Sequence, residues 1–197
     1  AEDENYISHN QNPVARKFQW EGDKHTKRDP KQKSFAHTLK GNSWGLLPEF
    51  LQSVNQNKCN ASKITDLATK AHLLMCIRTG VINRLQWDWY SKDEDAWIIP
   101  SQTSGLKRKK DDYENHHVIP STPEINKLMK KVKKISGWQK YCFYSLGGKN
   151  FDHIGDETIN DHLKNLGWRD KQSAHQWRSV ITTAALERSD FDYQIID

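Results

Sequence analysis

The sequence predicts an α+β domain that is mostly helical and carries a small antiparallel sheet. Apolar residues recur at intervals of three and four over several long segments, which places them on one face of a helix. Two short segments rich in β-branched and aromatic residues, 96–100 and 116–120, flank a polar stretch, as in a hairpin. The 197 residues suffice for one domain with a sizeable core.

The composition favours a folded, well-solvated protein. The formal net charge of +5 fits a polyanionic partner but does not establish one. Only 35% of the residues are hydrophobic, yet the chain has eight tryptophans, and disordered chains are poor in aromatic residues.

The cysteines, the termini and the lack of a long apolar run indicate in which cellular compartment the protein is expected. Cys59, Cys76 and Cys142 are widely spaced, which disfavours a disulfide framework or a zinc site and is typical of a reducing compartment. The acidic N-terminus precedes no apolar run, so we expect no signal peptide. No stretch approaches the roughly 18 apolar residues of a membrane span. Because the first residue is not Met and the chain ends abruptly, we expect a trimmed piece.

Residues 1–42 are polar and basic. Asn12-Pro13 and Asp29-Pro30 interrupt them, which predicts the end of a helix followed by an extended linker. Lys27 and Arg28 are candidate DNA contacts within this linker. A disordered arm and a linker that follows DNA explain the pattern equally well.

Capping residues and apolar stripes predict four helices before the last one. The first begins near Ser43, the second at Ser62 with an end or kink at Gly80, and the third at Thr122-Pro123-Glu124. The fourth extends from Thr158 to Leu166 before Gly167, and Tyr141–Tyr144 is predicted to be a short strand. The residues expected in the core are Leu46, Leu47, Phe50, Leu51, Val54, Ile64, Leu67, Ala71, Leu74, Met75, Ile125, Leu128, Val132, Ile135, Ile159, Leu163 and Leu166.

The predicted hairpin pairs Ala96–Pro100 with a strand that begins at His116. Its loop carries the basic residues Lys107, Arg108, Lys109 and Lys110, which suit phosphate groups. Asp111 and Asp112 could equally neutralise a solvated tip. Neither Cys nor spaced carboxylates accompany His116 and His117, so we interpret both as strand residues and predict no metal.

The last predicted helix offers a possible anion site. Ser173 is a plausible cap, and Trp177, Val180, Ile181 and Ala184 predict a core-facing stripe. His175 and Arg178 lie three residues apart, so both belong to the first turn on one face. An imidazole and a guanidinium near the positive end of a helix dipole suit a phosphate, although a solvated face is the simpler explanation for an isolated pair.

The order of these elements resembles the catalytic domain of a tyrosine recombinase, in its prophage or genomic-island integrase branch. The resemblance runs from about Ser43 to Asp197, and Asn10–Ala15 resembles the end of the preceding core-binding domain. The motifs that carry it are, in order, Thr79-Gly80, Leu85-Gln86-Trp87, Ile98-Ile99-Pro100, Lys107, His117-Val118-Ile119-Pro120-Ser121, Leu166-Gly167-Trp168 and Ala174-His175-Gln176-Trp177-Arg178.

The resemblance implies a tyrosine-recombinase fold and DNA integration or recombination. In this family a tyrosine attacks a DNA phosphodiester and forms a 3′-phosphotyrosyl link, with no metal or cofactor. Arg178 matches the second family arginine, His175 its histidine partner and Lys107 the lysine that acts as general acid, with Arg108, Lys109 and Lys110 as rivals. Implied partners are double-stranded DNA at attachment sites and a homotetramer on paired sites, in the bacterial cytoplasm with the nucleoid.

Two departures from the family pattern matter. The interval from Gly80 to Leu85 is short by about four residues, near one helical turn, where the first catalytic arginine belongs. Arg84 is the expected substitute and Arg78 the other nearby candidate. The chain also ends before the second histidine motif and the nucleophile, and we interpret Tyr193 as an ordinary helix tyrosine.

These departures leave three functional hypotheses. The first is a partial catalytic domain, comprising residues 43–197, that is inactive in strand transfer as a fragment. The second is a degenerate, non-catalytic DNA-binding remnant or accessory factor. The third is an unrelated basic scaffold protein, for which DNA binding would be absent or independent of salt.

Overall fold

The computed structural model describes residues 45–106, 115–145 and 152–187, without the side chains of 185–187. The predicted class is confirmed, because helices dominate and one three-stranded antiparallel sheet is present. The helices are α1 (Leu46–Gln56), α2 (Lys63–Met75), α3 (Thr79–Asn83), α4 (Pro123–Ser136), α5 (Thr158–Leu163) and α6 (Ala174–Glu187). The strands are β1 (Tyr90–Ser91), β2 (Ala96–Ile99) and β3 (His117–Pro120), and short helical turns span Trp87–Trp89 and Lys164–Trp168.

Local capping signals predicted three helix starts correctly. The Ser62 hydroxyl accepts a hydrogen bond from the Thr65 amide at the start of α2, and Thr122 does the same for Ile125 at the start of α4. At α6, the Ser173 hydroxyl accepts from the Gln176 amide, while the Gln176 side chain accepts from the Ser173 amide. This reciprocal pair is a capping box.

The predicted end of α2 at Gly80 was wrong. The helix ends at Met75, because Cys76 adopts a left-handed conformation with φ of 53° and its amide donates to the His72 carbonyl. Arg78 is extended, with φ of −63° and ψ of 145°, and the chain resumes as α3, which contains Gly80. Two helices separated by a tight turn therefore replace the single predicted one.

The predicted hairpin is confirmed, but two other features of the sheet differ from expectation. Strand β2 lies between β1 and β3, with Trp97 opposite both Tyr90 and Ile119. Strand β1 was not predicted. The predicted strand Tyr141–Tyr144 is reduced to one bridge between Tyr141 and Gln86, because Gln86 leads directly into the turn at Trp87–Trp89.

The core lies around α2, which packs against α1, α4, α5 and α6. Phe50 of α1 contacts Trp168 edge-to-face, with ring centroids 5.2 Å apart. Because neighbours cover α2 on several sides, Leu73 is buried although it lies outside the predicted stripe. Four residues expected in the core are instead exposed by 37–44%, because no described element covers the outer edge of their stripes: Leu46, Leu51, Leu74 and Ile181.

Helix α5 is shorter than predicted and is followed by a π-helical turn, which is wider than a turn of α-helix. Helix α5 buries Ile159 and Leu163 as predicted but ends at Leu163 rather than Leu166. A π-helical turn over Lys164–Trp168 follows, and Gly167 closes it with φ of 92°, a conformation that favours glycine. Within the described ranges, no helix is both long and apolar enough to cross a membrane.

Candidate functional site

The candidate site is built around residues 76–80, which we call the Arg78 turn. Cys76 ends α2 and Arg78 caps α3, so the turn joins two helices. The Arg78 carbonyl accepts hydrogen bonds from the amides of Val81 and Ile82, each 3.0 Å long. The Arg78 side chain is half-buried, and no hydrogen bond or ion pair within the described part of the chain engages it.

The first turn of α6 packs against one end of the Arg78 turn. Arg178 donates from Nη1 to the Cys76 carbonyl oxygen over 3.2 Å. The neighbouring Trp177 is buried and donates from Nε1 to the Leu73 carbonyl oxygen over 2.9 Å. The Ala174 amide donates to the Asn160 side chain of α5 over 3.0 Å. The start of α6 is therefore fixed to α2 and α5 by side-chain contacts.

His72 joins α2 to the same turn of α6 from within the core. It is fully buried and donates from Nε2 to the Ala174 carbonyl oxygen over 2.9 Å. Burial lowers the pKa of His72, and the nearby positive charges of Arg178 and His175 lower it further. His72 is therefore a neutral structural residue, whereas His175 of α6 is exposed.

Arg84 engages the other end of the Arg78 turn. Its Nη1 atom donates to the Gly80 carbonyl oxygen over 2.8 Å and to Oδ1 of Asp156 over 3.0 Å. Its Nη2 atom lies 3.5 Å from the second carboxylate oxygen. Hydrogen bonding from Arg84 is the main reason why the pKa of Asp156 lies below its ordinary value.

The loop after β2 also contacts this end of the turn. Gly105 has φ of +100°, and a Cβ atom there would lie 3.1 Å from the Gly80 carbonyl carbon. The backbone of Gly105 can approach Gly80 this closely because Gly105 has no side chain. Lys107 follows two residues later in the sequence.

The predicted site residues therefore separate into two groups. His175 and Arg178 lie on the first turn of α6, next to the Arg78 turn, while Arg84 is paired with Asp156. The remaining candidates, namely Lys107, Arg108, Lys109, Lys110, Lys27, Arg28 and the discounted Tyr193, lie outside the described residues.

The described ranges contain no group of three or more His, Cys, Asp or Glu side chains that could hold a metal ion. The Cys76 thiol lies beside Trp177 and Arg178, and burial raises its pKa, so it is a neutral thiol rather than a reactive thiolate. The arrangement offers cationic donors, which suit binding of an anion such as a phosphate.

Sequence reasoning missed the role of Asp156 and the contact between Gly105 and Gly80. Asp156 lies 72 residues from Arg84, and no local pattern links two such positions. The glycine at position 105, a few residues from the basic cluster, was the one available signal of a close backbone approach.

Comparisons with known proteins identify two relatives. No family model matches the chain. An integrase of Enterobacteria phage P4 is 25% identical over 149 residues, which is 70% of this chain and 32% of that protein. Prophage integrase IntZ of Escherichia coli strain K12 is 22% identical over 121 residues, which is 61% of this chain and 28% of that protein. The chain thus spans about a third of the length of the curated relatives that it matches.

Proposed function

We infer that this chain, a relative of the phage-type integrases, takes part in site-specific recombination of DNA. In this proposal the Arg78 turn and the first turn of α6 form a phosphate-binding centre. The observation that carries it is the hydrogen bond from Arg178 to the Cys76 carbonyl, which joins the two segments. The proposed centre would therefore combine the guanidinium groups of Arg78 and Arg178 with the exposed imidazole of His175.

Arg78 is the better candidate for the first catalytic arginine. The Arg84 guanidinium is occupied by a carbonyl and a carboxylate, and turning it toward a DNA phosphate would break both interactions. The Arg78 side chain has no such partner among the described residues. Arg84, the substitute expected from the sequence, remains the alternative.

The proposed chemistry is strand exchange through a 3′-phosphotyrosyl link. Arg78, Arg178 and His175 would donate to the oxygens of the phosphorane-like transition state, where fixed positive donors are most effective. Lys107 would protonate the leaving 5′-oxygen, with Arg108, Lys109 and Lys110 as rivals. The contact between Gly105 and Gly80 supports this role, because it holds the preceding loop against the Arg78 turn. We assign no nucleophile within the chain.

The proposed partners are double-stranded DNA at attachment sites and, on paired sites, three further copies of the protein. Lys27 and Arg28 would add contacts to the DNA backbone. Phosphate contacts of this kind release counterions, so binding is expected to weaken steeply with salt.

The first experiment measures binding of a fluorescent DNA duplex by this chain as a function of salt. Arg178→Ala should weaken binding and reduce the slope of log affinity against log salt by about 0.9, the value for one phosphate contact. Lys58→Ala is the matched control, because it removes an exposed positive charge before α2, at the opposite end of that helix from Cys76.

The second experiment tests catalysis with the intact gene product and DNA that carries its attachment site. Covalent protein–DNA adduct should form, and Arg178→Ala should slow its formation by about two to three orders of magnitude. DNA binding that depends on Arg178 without any adduct would support the non-catalytic remnant instead. Equal DNA binding by Arg178→Ala and Lys58→Ala would contradict the phosphate-binding centre.

A further inference from the structure

We propose that Arg84 and Asp156 form a positioning pair, which fixes the Arg78 turn in the geometry that its side chains need to bind phosphate. This role rests on the proposed function but differs from it, because neither Arg84 nor Asp156 would touch the DNA. The pair would act through the backbone of Gly80.

The contacts of Arg84 converge on one end of the turn. One nitrogen, Nη1, bonds both the Gly80 carbonyl oxygen, over 2.8 Å, and Oδ1 of Asp156, over 3.0 Å. Through Arg84, a displacement of Asp156 would therefore act on Gly80, two residues from Arg78. A lysine could not reproduce this arrangement, because its single ammonium lacks the planar, forked geometry of a guanidinium.

A second contact anchors the same segment to α3. Asn83 is fully buried and donates from Nδ2 to the Gly155 carbonyl oxygen over 3.0 Å. The Thr158 amide at the start of α5 donates to that carbonyl as well, over 3.1 Å. These two hydrogen bonds hold the segment next to Asp156, so the Asp156 carboxylate can hold the Arg84 guanidinium in place.

Gly80 is also the point at which the loop after β2 contacts the turn. The hypothetical Cβ at Gly105 would lie 3.1 Å from the Gly80 carbonyl carbon and 3.2 Å from the Val81 amide nitrogen. A displacement of Gly80 by a few tenths of an ångström would change this contact. The pair would consequently position both the Arg78 turn and the loop that precedes Lys107.

Exposure indicates that stability is not the main contribution of this pair. The side chains of Arg84 and Asp156 are 26% and 63% exposed, and ion pairs in such positions contribute little to folding. A second described ion pair provides a matched comparison. Asp161 of α5 and Lys164, which follows α5, lie 2.8 Å apart and are 59% and 39% exposed. Neither side chain makes a hydrogen bond or an ion pair with the described residues of the Arg78 turn.

The structural test is hydrogen exchange of the free chain. Asp156→Asn and Arg84→Lys should accelerate exchange of the backbone amides at 80–82 and 104–106, while Asp161→Asn should leave them unchanged. Unchanged exchange in the first two variants would overturn the proposal, whatever the DNA assays show.

The functional test asks whether removing a negative charge strengthens or weakens DNA binding. Removing an acidic residue from a DNA-binding protein should strengthen binding through electrostatics alone, and Asp161→Asn should do so slightly. Asp156→Asn removes the same charge but should weaken duplex binding and slow adduct formation by the intact protein, by about 2- to 30-fold. Equal behaviour of Asp156→Asn and Asp161→Asn would overturn the positioning role.

Arg84→Lys separates geometry from charge. If Arg84 acts only through its positive charge, lysine restores wild-type binding and the proposal fails. If it acts as a positioning residue, lysine is as defective as Arg84→Gln.

Arg178→Ala distinguishes failure of this inference from failure of the proposed function. Loss of binding in Arg178→Ala, with normal binding in Asp156→Asn, would refute only the positioning pair. Normal binding in Arg178→Ala would refute the phosphate-binding centre, while the exchange experiment would still decide whether Arg84 orders the turn.

Discussion

Two arginines bond the two ends of the same turn, and they do so in opposite environments. Arg178 donates to the Cys76 carbonyl beside the buried Trp177 and His72, and no carboxylate of the described residues lies within ion-pair distance of it. Arg84 donates to the Gly80 carbonyl at the surface and is already paired with Asp156.

The difference indicates how the residues of the proposed phosphate-binding centre can be distinct from the residues that hold it in place. A guanidinium has five donors, so Arg178 can bond one carbonyl and retain donors for a phosphate. Arg84 already donates from Nη1 to a carbonyl and a carboxylate of the protein, and its Nη2 atom lies 3.5 Å from the second carboxylate oxygen. The Cys76 end is thus fixed by core packing, whereas the Gly80 end depends on polar contacts at the surface.

The largest expected effect concerns the choice between the two candidate first arginines. Arg78→Ala should slow adduct formation by the intact protein about 100- to 1,000-fold, because it removes a transition-state donor. Arg84→Ala should cost only about 2- to 30-fold, because it disturbs position and not contact. Single-turnover adduct formation measures both rates, and the reverse ranking would restore Arg84 as the first arginine.

A pair of glycine substitutions tests the backbone contact at the Gly80 end. Gly105→Ala should lower the free energy of unfolding by about 1–3 kcal/mol, because φ of +100° is strained for alanine and its Cβ would lie 3.1 Å from Gly80. Gly80→Ala is the control, since the nearest atoms would lie 3.6 Å from its Cβ, an ordinary contact. Urea denaturation measures both variants, and equal loss of stability would argue against the close approach.

The Cys76 end should be sensitive to pH because of His72. Its pKa in the folded protein lies below the ordinary 6.5, so its contribution to stability is complete above pH 6.5 and is lost as the pH falls through the lowered value. The loss should reach about 1.4 kcal/mol per pH unit. His72→Gln should show a smaller decrease in unfolding free energy between pH 7.5 and 5.5. An unchanged pH dependence would mean that His72 is not responsible.

The smallest effect is expected from the Arg84–Asp156 pair on stability itself. Asp156→Asn should lower the free energy of unfolding by no more than about 1 kcal/mol, because the pair is partly exposed and screened by solvent. Thermal unfolding at low and high salt checks this value. A much larger loss would show that the pair supports the fold rather than positions the turn.

The parts of the molecule set by local sequence were predictable. Ser62, Thr122 and Ser173 cap helices through bonds to residues three positions away. The hairpin strands are short segments rich in β-branched and aromatic residues, and they pair as expected. The resemblance to phage-type integrases, predicted from the order of the motifs, is confirmed by the two relatives, both of which are named integrases.

The remaining features depend on contacts between distant segments. The left-handed conformation of Cys76 carries no sequence signal, because this conformation is usually adopted by glycine or asparagine. The predicted helix end at Gly80 failed for the same reason. Leu74 and Ile181 fit helical stripes, but whether such residues are covered depends on which elements pack over them.

The thiol of Cys76 lies where α2 meets α6, a contact that we call the joint. Chemical labelling of this thiol can therefore monitor the joint. The thiol is half-buried, donates to the Leu73 carbonyl and is shielded by the first turn of α6. Opening of the joint should therefore accelerate alkylation of Cys76, whereas Cys142 is buried in the core and should react only on unfolding. The two alkylation rates would separate local breathing of this joint from global denaturation, without any substitution in the chain.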